Sequence, residues 1–279
     1  MIRALRSIFL AACTLCLSAS STSAPVPVSG VAPLELRVAV VSDGRADYFV
    51  RLLEESLKLI KQPYNIQYIK DIPARRMWWM LGQGDINLFY GIQSKDKDGS
   101  KELVPVRNAL TNGLIGQRVL LIRRTDAEAF ARVRSVGDLK RTGLIAGLGA
   151  GWHDAKVFKA SDLPLYEHTA PWSTIYAMVA AGNRRVDYLP RGVTEVLEEA
   201  RAHPELVVEQ HLLLAYQADF IFYLDATAAR YRPILERALR QAEITGLKAR
   251  LIEETFGTDI RALQLNGRLR LNLPPGQAR

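Results

Sequence analysis

The chain has 279 residues, 48% of them hydrophobic and 24% charged, which is the composition of a globular protein with a substantial core in one large or two ordinary domains. The formal charge is +8, and Arg3 and Arg6 near the start supply two of those units. The remaining charges are dispersed, with no block of like sign and no basic stripe interleaved with aromatics, so nucleic-acid binding is disfavoured.

Residues 1–24 have the layout of a cleaved secretory signal: a positive start at Arg3 and Arg6, a short apolar run over 7–17 (SIFLAACTLCL), and small residues up to Ala24. The run is too short to span a bilayer. Leu10-Ala11-Ala12-Cys13 has the form of a lipoprotein box, but the apolar run ahead of Cys13 is too short to favour lipidation over ordinary cleavage. Both cysteines, Cys13 and Cys16, lie in this segment, so the mature chain is expected to have no disulfide, thiolate nucleophile or cysteine metal site. Export places the protein in the periplasm, and no later run approaches membrane length.

Residues 25–33 read as a Pro/Val/Ser linker. A strand is expected over 34–41 (LELRVAVV), then a turn at Ser42-Asp43-Gly44-Arg45. An amphipathic helix follows over 48–60, with Phe49, Leu52, Leu53, Leu57 and Ile60 on one face. A second strand over 64–70, a helix opening at Ala74 after Pro73, and a third strand over 87–92 complete a β-α-β-α-β run, the signature of a parallel sheet covered on both faces. Two short apolar runs within 103–122 are broken by Thr111-Asn112-Gly113, and the second is placed to carry the chain out of the first lobe.

Further on, the spacing predicts a short helix over 127–133 and a strand over 144–146. A glycine-rich loop, 147–151 (GLGAG), and a helix from about Asp154 follow. After a strand over 163–166, residues 175–195 (IYAMVAAGNRRVDYLPRGVTE) read as helix, glycine stop at Gly182, short strand, and next helix. Residues 74–92 repeat that order, as two separate α/β lobes would. A strand within 206–216, a β-prone run over 220–224 (FIFYL) returning to the first lobe, a helix over 228–245 and a last helix over 248–256 follow. Pro274-Pro275-Gly276 are expected to begin a disordered tail.

Several residues invite chemistry. Arg75 and Arg76 stand in the first turn of a helix, where cations oppose the macrodipole at about 0.3–1 kcal/mol each. They are read either as ligand contacts gripping a carboxylate or as surface arginines paired with Asp71. The 147–151 loop offers bare N–H groups at a helix start, with Trp152 as a stacking surface; the alternative is a tight turn with Trp152 packing its own lobe. The G-x-G-x-G spacing is not the dinucleotide fingerprint, and Glu167 some twenty residues on does not rescue it. His153, His168, His203 and His211 form no zinc spacing, and no serine sits in a nucleophile elbow. Asp43, Tyr90, Arg107, Thr111 and Arg191 stand at strand ends or in loops and are read either as cleft residues or as solvated loop residues.

These motifs together resemble the type II periplasmic solute-binding proteins, extracellular family 3, which includes amino-acid receptors of ABC importers. The likeness rests on 75–85 (RRMWWMLGQGD), 136–140 (VGDLK), 151–154 (GWHD), 178–192 (MVAAGNRRVDYLPRG) and 212–223, and covers about 34–273. The usual Phe-Ser-x-Pro-Tyr block after the third strand is missing; Leu110-Thr111-Asn112-Gly113-Leu114 stands there.

The resemblance implies an α/β, two-lobed fold, each lobe a mostly parallel sheet flanked by helices. Lobe 1 would be 34–117 and 218–279, lobe 2 118–217, with crossings near 117–124 and 215–224. It implies a monomer that clamps a small anionic or zwitterionic, amino-acid-like ligand for an ABC permease, with no cofactor, no metal and no catalysis. The expected ligand contacts are Asp43, Arg75, Arg76, Tyr90, Arg107, Thr111, Gly149, Gly151, Trp152 and Arg191. The rivals are a sensor reporting to a membrane partner and, on the same fold, a dehydratase using Asp43, His153 or Glu167.

Overall fold

The computed structural model describes residues 30–41, 46–70, 72, 74–182 and 186–276, with the side chains of Ala74, Arg75 and Asp96 left out. The expected signal, most of the linker, the turn containing Asp43, and residues 277–279 lie outside the described residues.

Strand β1 (Leu34–Ala39) leads into α1 (Ala46–Leu59), then β2 (Tyr64–Ile69), α2 (Ala74–Gln83) and β3 (Leu88–Ile92). The apolar face expected of α1 is buried: Phe49, Leu52, Leu53 and Leu57 lie in the core together with Tyr48. The β1 strand pairs in parallel with β2, Leu34 opposite Tyr64, and with β3 at Val38–Leu88. After α3 (Lys95–Asp98) and β4 (Leu103–Val106), a 3-10 turn at Leu114–Gly116 delivers the chain to β5 (Gln117–Ile122), the first strand of a second sheet.

The second lobe continues through α4 (Ala127–Ala131), α5 (Val136–Arg141), β6 (Ala146–Gly149), α6 (His153–Ala160), β7 (Leu165–His168), α7 (Thr174–Ala181), β8 (Tyr188–Gly192), α8 (Val196–Ala202), β9 (Val207–Val208) and β10 (Leu212–Ala215). The helix, glycine stop and strand expected around Gly182 are all present. Gly182 takes φ +67 and its N–H bonds the Val179 carbonyl, a left-handed cap that glycine adopts at no steric cost. The chain returns through β11 (Phe220–Asp225), α9 (Arg232–Ile244) and α10 (Leu247–Ala262), and ends in β12 (Leu269–Asn272).

Both sheets are mixed, not mostly parallel. The first runs β2-β1-β3-β11-β4 and the second β12-β10-β5-β8-β6-β7, with β9 on β5. In the first sheet, β11 arrives from the other lobe and so lies antiparallel to both β3 and β4. In the second, β5 enters from the other lobe and lies antiparallel to β10 and β8. The parallel pairs are the local helix-connected ones, together with β10–β12.

The glycine-rich segment 147–151 is mostly strand. Gly147 sits in β6, where a Cβ would come within 2.6 Å of Ile175 and Val186, so its smallness serves helix-on-sheet packing. Only Gly151 has the left-handed φ, +79, of a tight turn.

The end of the chain departs from expectation. Helix α10 runs on to Ala262, well past the Phe256 that its periodicity suggested; it starts in the core of the first lobe with Leu247, Leu251 and Phe256. Leu263, just beyond it, is buried in the second lobe. Strand β12 then adds to the edge of the second sheet, parallel to β10 with Leu212 opposite Leu269. Residues 263–276 therefore lie with the second lobe, not the first. Leu269, Leu271 and Leu273 alternate into its core, and Arg268 is buried, its Nε donating to the Leu263 carbonyl at 2.8 Å. The described part of the expected tail packs on the second lobe. Leu273 N donates to the Ala215 carbonyl at 2.7 Å, and Gly276 is pressed on α6, where a Cβ would lie 2.7 Å from Val157 N. The chain thus joins the lobes three times.

Candidate functional site

A groove of about 900 Å³ lies between the lobes. Gln93, Ser94 and Asp98, from the carboxyl end of β3 and from α3, form one side; His153 and Lys156 of α6 form another. The returning linker, Tyr216 to Asp219, lies at its floor. Ligands in open α/β sheets bind beyond the carboxyl ends of strands, which is where this groove lies relative to β3 and β6.

The floor is tied together by hydrogen bonds to Asp219 and by the Arg118–Asp154 ion pair. Asp219 staples the outgoing linker to the returning one: its Oδ1 accepts from Thr111 N at 2.8 Å, Thr111 Oγ1 at 2.7 Å and Leu110 N at 3.2 Å, and its Oδ2 from Gly113 N at 2.6 Å. Behind His153, Asp154 is buried and takes Arg118 Nε at 2.7 Å, Arg118 Nη2 at 3.2 Å and the Tyr216 hydroxyl at 2.6 Å. Burial alone would raise the Asp154 carboxyl. The Arg118 charge and hydrogen bonds, with the Tyr216 hydroxyl, outweigh it and hold that carboxyl below the usual range. Burial also pushes the Tyr216 hydroxyl well up, with Asp154 adding to the rise.

His153 stands at the first turn of α6, and its Nε2 is buried without a hydrogen-bond partner among the described residues. Its pKa is lowered first by burial and then by the charges of Arg118, Lys156 and Lys97, with Asp154 opposing. Lys97 belongs to the first lobe; its Nζ donates to the Ile92 carbonyl at 2.8 Å and lies 4.4 Å from the Trp78 ring centroid. The field at His153 is therefore made by cations of both lobes.

The expected contact residues are scattered relative to this groove. Asp43 and the Arg75 side chain lie outside the described residues. Arg76 is exposed on α2. Tyr90 is a core residue, stacked on Phe49 at 3.9 Å. Arg107 borders the groove through Asp98, 3.9 Å away, while its N–H donates to Glu236 at 3.2 Å. Thr111 is the hinge staple just described.

Gly149, Trp152 and Arg191 do come together, as a packed cluster in the second lobe. A Cβ on Gly149 would collide with the Trp152 indole, so the glycine seats that ring. The Arg191 guanidinium lies 5.2 Å from the Trp152 ring and 4.8 Å from the Trp172 ring. Its Nε donates to Glu199 Oε2 at 2.6 Å, its Nη2 to Glu199 Oε1, and Glu195 Oε1 is 3.1 Å away. Two carboxylates thus engage the arginine. Burial would lower its pKa, but Glu195 and Glu199 raise it above the ordinary value. Gly151 supplies the turn before Trp152.

Among the groove residues that sequence reasoning did not select as ligand contacts are Gln93, Ser94, Lys95, His153, Lys156 and Arg270. Gln93 and Ser94 follow the apolar run of β3 directly, and that position was the available signal. Among the described residues no cluster of three metal-ligating side chains occurs, and no helix is long and apolar enough to cross a membrane.

No family model matches the chain, and no curated protein matches its sequence. Solved structures do match in fold. The GluR0 ligand-binding core in complex with L-glutamate superposes with a TM-score of 0.55 at 13% identity, covering 82% of this chain and all (100%) of that one. The probable amino-acid ABC transporter extracellular-binding protein ytmK of Bacillus subtilis gives 0.57 at 16%, over 81% of this chain and 100% of that one. The amino-acid ABC transporter substrate-binding protein AbpA of Streptococcus pneumoniae, bound to L-arginine, gives 0.53 at 14%, over 81% and 96%. The chain therefore has the two-lobed α/β fold of these ligand-binding proteins, with mixed sheets flanked by helices and a groove between the lobes.

Proposed function

We propose that this chain is a periplasmic solute-binding protein that closes two lobes on a small anionic or zwitterionic, amino-acid-like ligand and presents it to an ABC permease of the inner membrane. The observation that carries the reading is the groove itself: it is lined from both lobes and floored by linkers that Asp219 staples together. A ligand there touches both lobes at once only when they approach, so binding shifts the population toward the closed form by its stronger grip on that form. The names of the fold neighbours, binding proteins for L-glutamate and L-arginine among them, support the ligand class. A signal cleaved after Ala24 and a monomeric mature chain belong to the same reading.

The dehydratase alternative has less support in the groove. Of its expected acids and bases, His153 lines the groove, Glu167 pairs with Lys159 on α6, and Asp43 lies outside the described residues. The groove carboxylates Asp98 and Asp219 are each held by several donors. A thermal-shift screen of the mature chain, residues 25–279, against amino acids, polyamines, small organic acids and cyclic dipeptides tests the proposal. A ligand at a hundred times its Kd stabilises by about 2.7 kcal/mol, which for a domain of this size raises Tm by roughly 5–10 °C. The absence of any saturable shift across the panel would remove the function.

A further inference from the structure

The groove's cations come from three separate parts of the chain. Lys95 stands on α3 in the first lobe, Lys156 on α6 in the second, and Arg270 on β12 at the end of the chain. Register places Arg270: Leu269 and Leu271 face the core of the second lobe, so the residue between them faces away from it. The strap is fixed at both ends of this region, by β12 pairing on β10 and by Gly276 pressed against the Lys156–Val157 backbone of α6. Arg270 Nε donates to Asn272 Oδ1 at 3.1 Å, and neither Arg270 nor Lys95 forms an ion pair with any described residue.

The groove's two carboxylates are already occupied. Asp98 accepts from the Tyr223 hydroxyl at 3.0 Å and from Gln93 Nε2 at 2.9 Å, with Arg107 at 3.9 Å; Asp219 accepts four bonds from the outgoing linker. Among the described residues, then, the lining supplies cations for an anion and no uncommitted carboxylate for an ammonium group. Lys95 from the first lobe and Arg270 from the strap line the same groove, so an anion lying between them is attracted to both.

We propose that the carboxy-terminal strap forms a wall of the ligand site and that the site takes a compact anion with two or more separated carboxylates, gripped by Lys95 from one lobe and by Lys156 and Arg270 from the other. The inference rests on the binding function proposed above and narrows its ligand to organic di- or tricarboxylates without a required amino group. An anion held between the lobes contacts cations of both, which favours the closed form, and Arg270 supplies the planar fork suited to a carboxylate.

The experiment is calorimetric titration of the mature chain with succinate, citrate, L-glutamate and L-alanine at low and high salt. Wild type is compared with Lys95→Gln, Arg270→Gln and, as a control outside the groove, Lys101→Gln, each checked for an unchanged melting profile without ligand. The expected result is that succinate or citrate binds, that affinity falls at least tenfold in Lys95→Gln and in Arg270→Gln but not in Lys101→Gln, and that added salt weakens binding. Dicarboxylate binding unaffected by Arg270→Gln would overturn the role of the strap. Binding of an amino acid but not of either carboxylate probe, abolished by Asp43→Ala, would overturn the ligand class while leaving the binding function standing. No binding by any probe overturns the ligand class; if the wider panel also gives no thermal shift, the function falls with it.

Discussion

Replacing Asp154 with alanine puts the electrostatics beneath the groove to its sharpest test. The Arg118–Asp154 pair is buried, with side chains 6% and 8% exposed, and the carboxylate accepts three bonds. Removing it leaves a guanidinium that cannot give up its proton in a site that water does not reach. Loss of one partner of a buried pair costs about 3–5 kcal/mol. The Tyr216 hydroxyl loses its acceptor as well, while Arg118 keeps its bonds to the Ile115 and Gln117 carbonyls. For a domain of this size each kcal/mol moves Tm by roughly 2–4 °C, so Asp154→Ala should melt about 6–20 °C lower. Urea unfolding of Asp154→Ala, Arg118→Met and the double variant measures the coupling, and the double variant should lose less than the sum of the singles by about 1 kcal/mol or more. The acid limb is a second readout. A carboxyl held below its usual value contributes stability above about pH 4 that is lost as pH falls through the folded-state pKa, so Asp154→Ala should show a shallower acid limb. A loss below about 1 kcal/mol, or strict additivity, would refute the claim that this pair is desolvated and interdependent.

Other residues give independent tests. In Gly116→Ala the new Cβ collides with the Tyr216 carbonyl, forcing the two linkers apart; the urea midpoint should fall by the equivalent of about 1–3 kcal/mol at unchanged m-value. His153 is held below its usual pKa by burial and by neighbouring cations, so the unfolded chain takes up that proton first as pH falls. The wild type should therefore lose stability from about pH 6.5 downward, and His153→Gln should lose less, as read from urea midpoints on either side of that value. Arg191→Lys keeps the charge but gives up the paired grip on Glu199 and the flat contact with both indoles, and should lower stability by about 1–3 kcal/mol in the same assay.

Much of the fold could be read from periodicity because its elements are amphipathic in the ordinary way. The α1 stripe buries the side its spacing turns to the core, Gly182 caps α7 as its position implies, and the continuous FIFYL run is buried along nearly its whole length. What misled was short or ambiguous. The 147–151 glycines read as a loop, yet Gly147 and Gly149 lie in β6, the first small because Ile175 and Val186 crowd the sheet face and the second because the Trp152 indole sits on it. The alternation of Leu269, Leu271 and Leu273 was a strand signal, but so short a run beside a Pro-Pro-Gly also reads as a tail. Site residues were harder. Arg191 reads as following a strand, where a ligand contact belongs, but it lies inside β8, and only three dimensions bring Glu195 and Glu199 onto it. Arg270 is far from Lys156 in sequence, and no local pattern joins them; the third passage between the lobes does.

Small-angle scattering from the mature chain tests the mechanism most directly, with and without a saturating compound taken from the thermal-shift panel. The radius of gyration should fall on addition and the scattering curve should match a form with the groove shut. An unchanged curve, with saturation verified by calorimetry in the same buffer, would contradict closure of the lobes around the ligand.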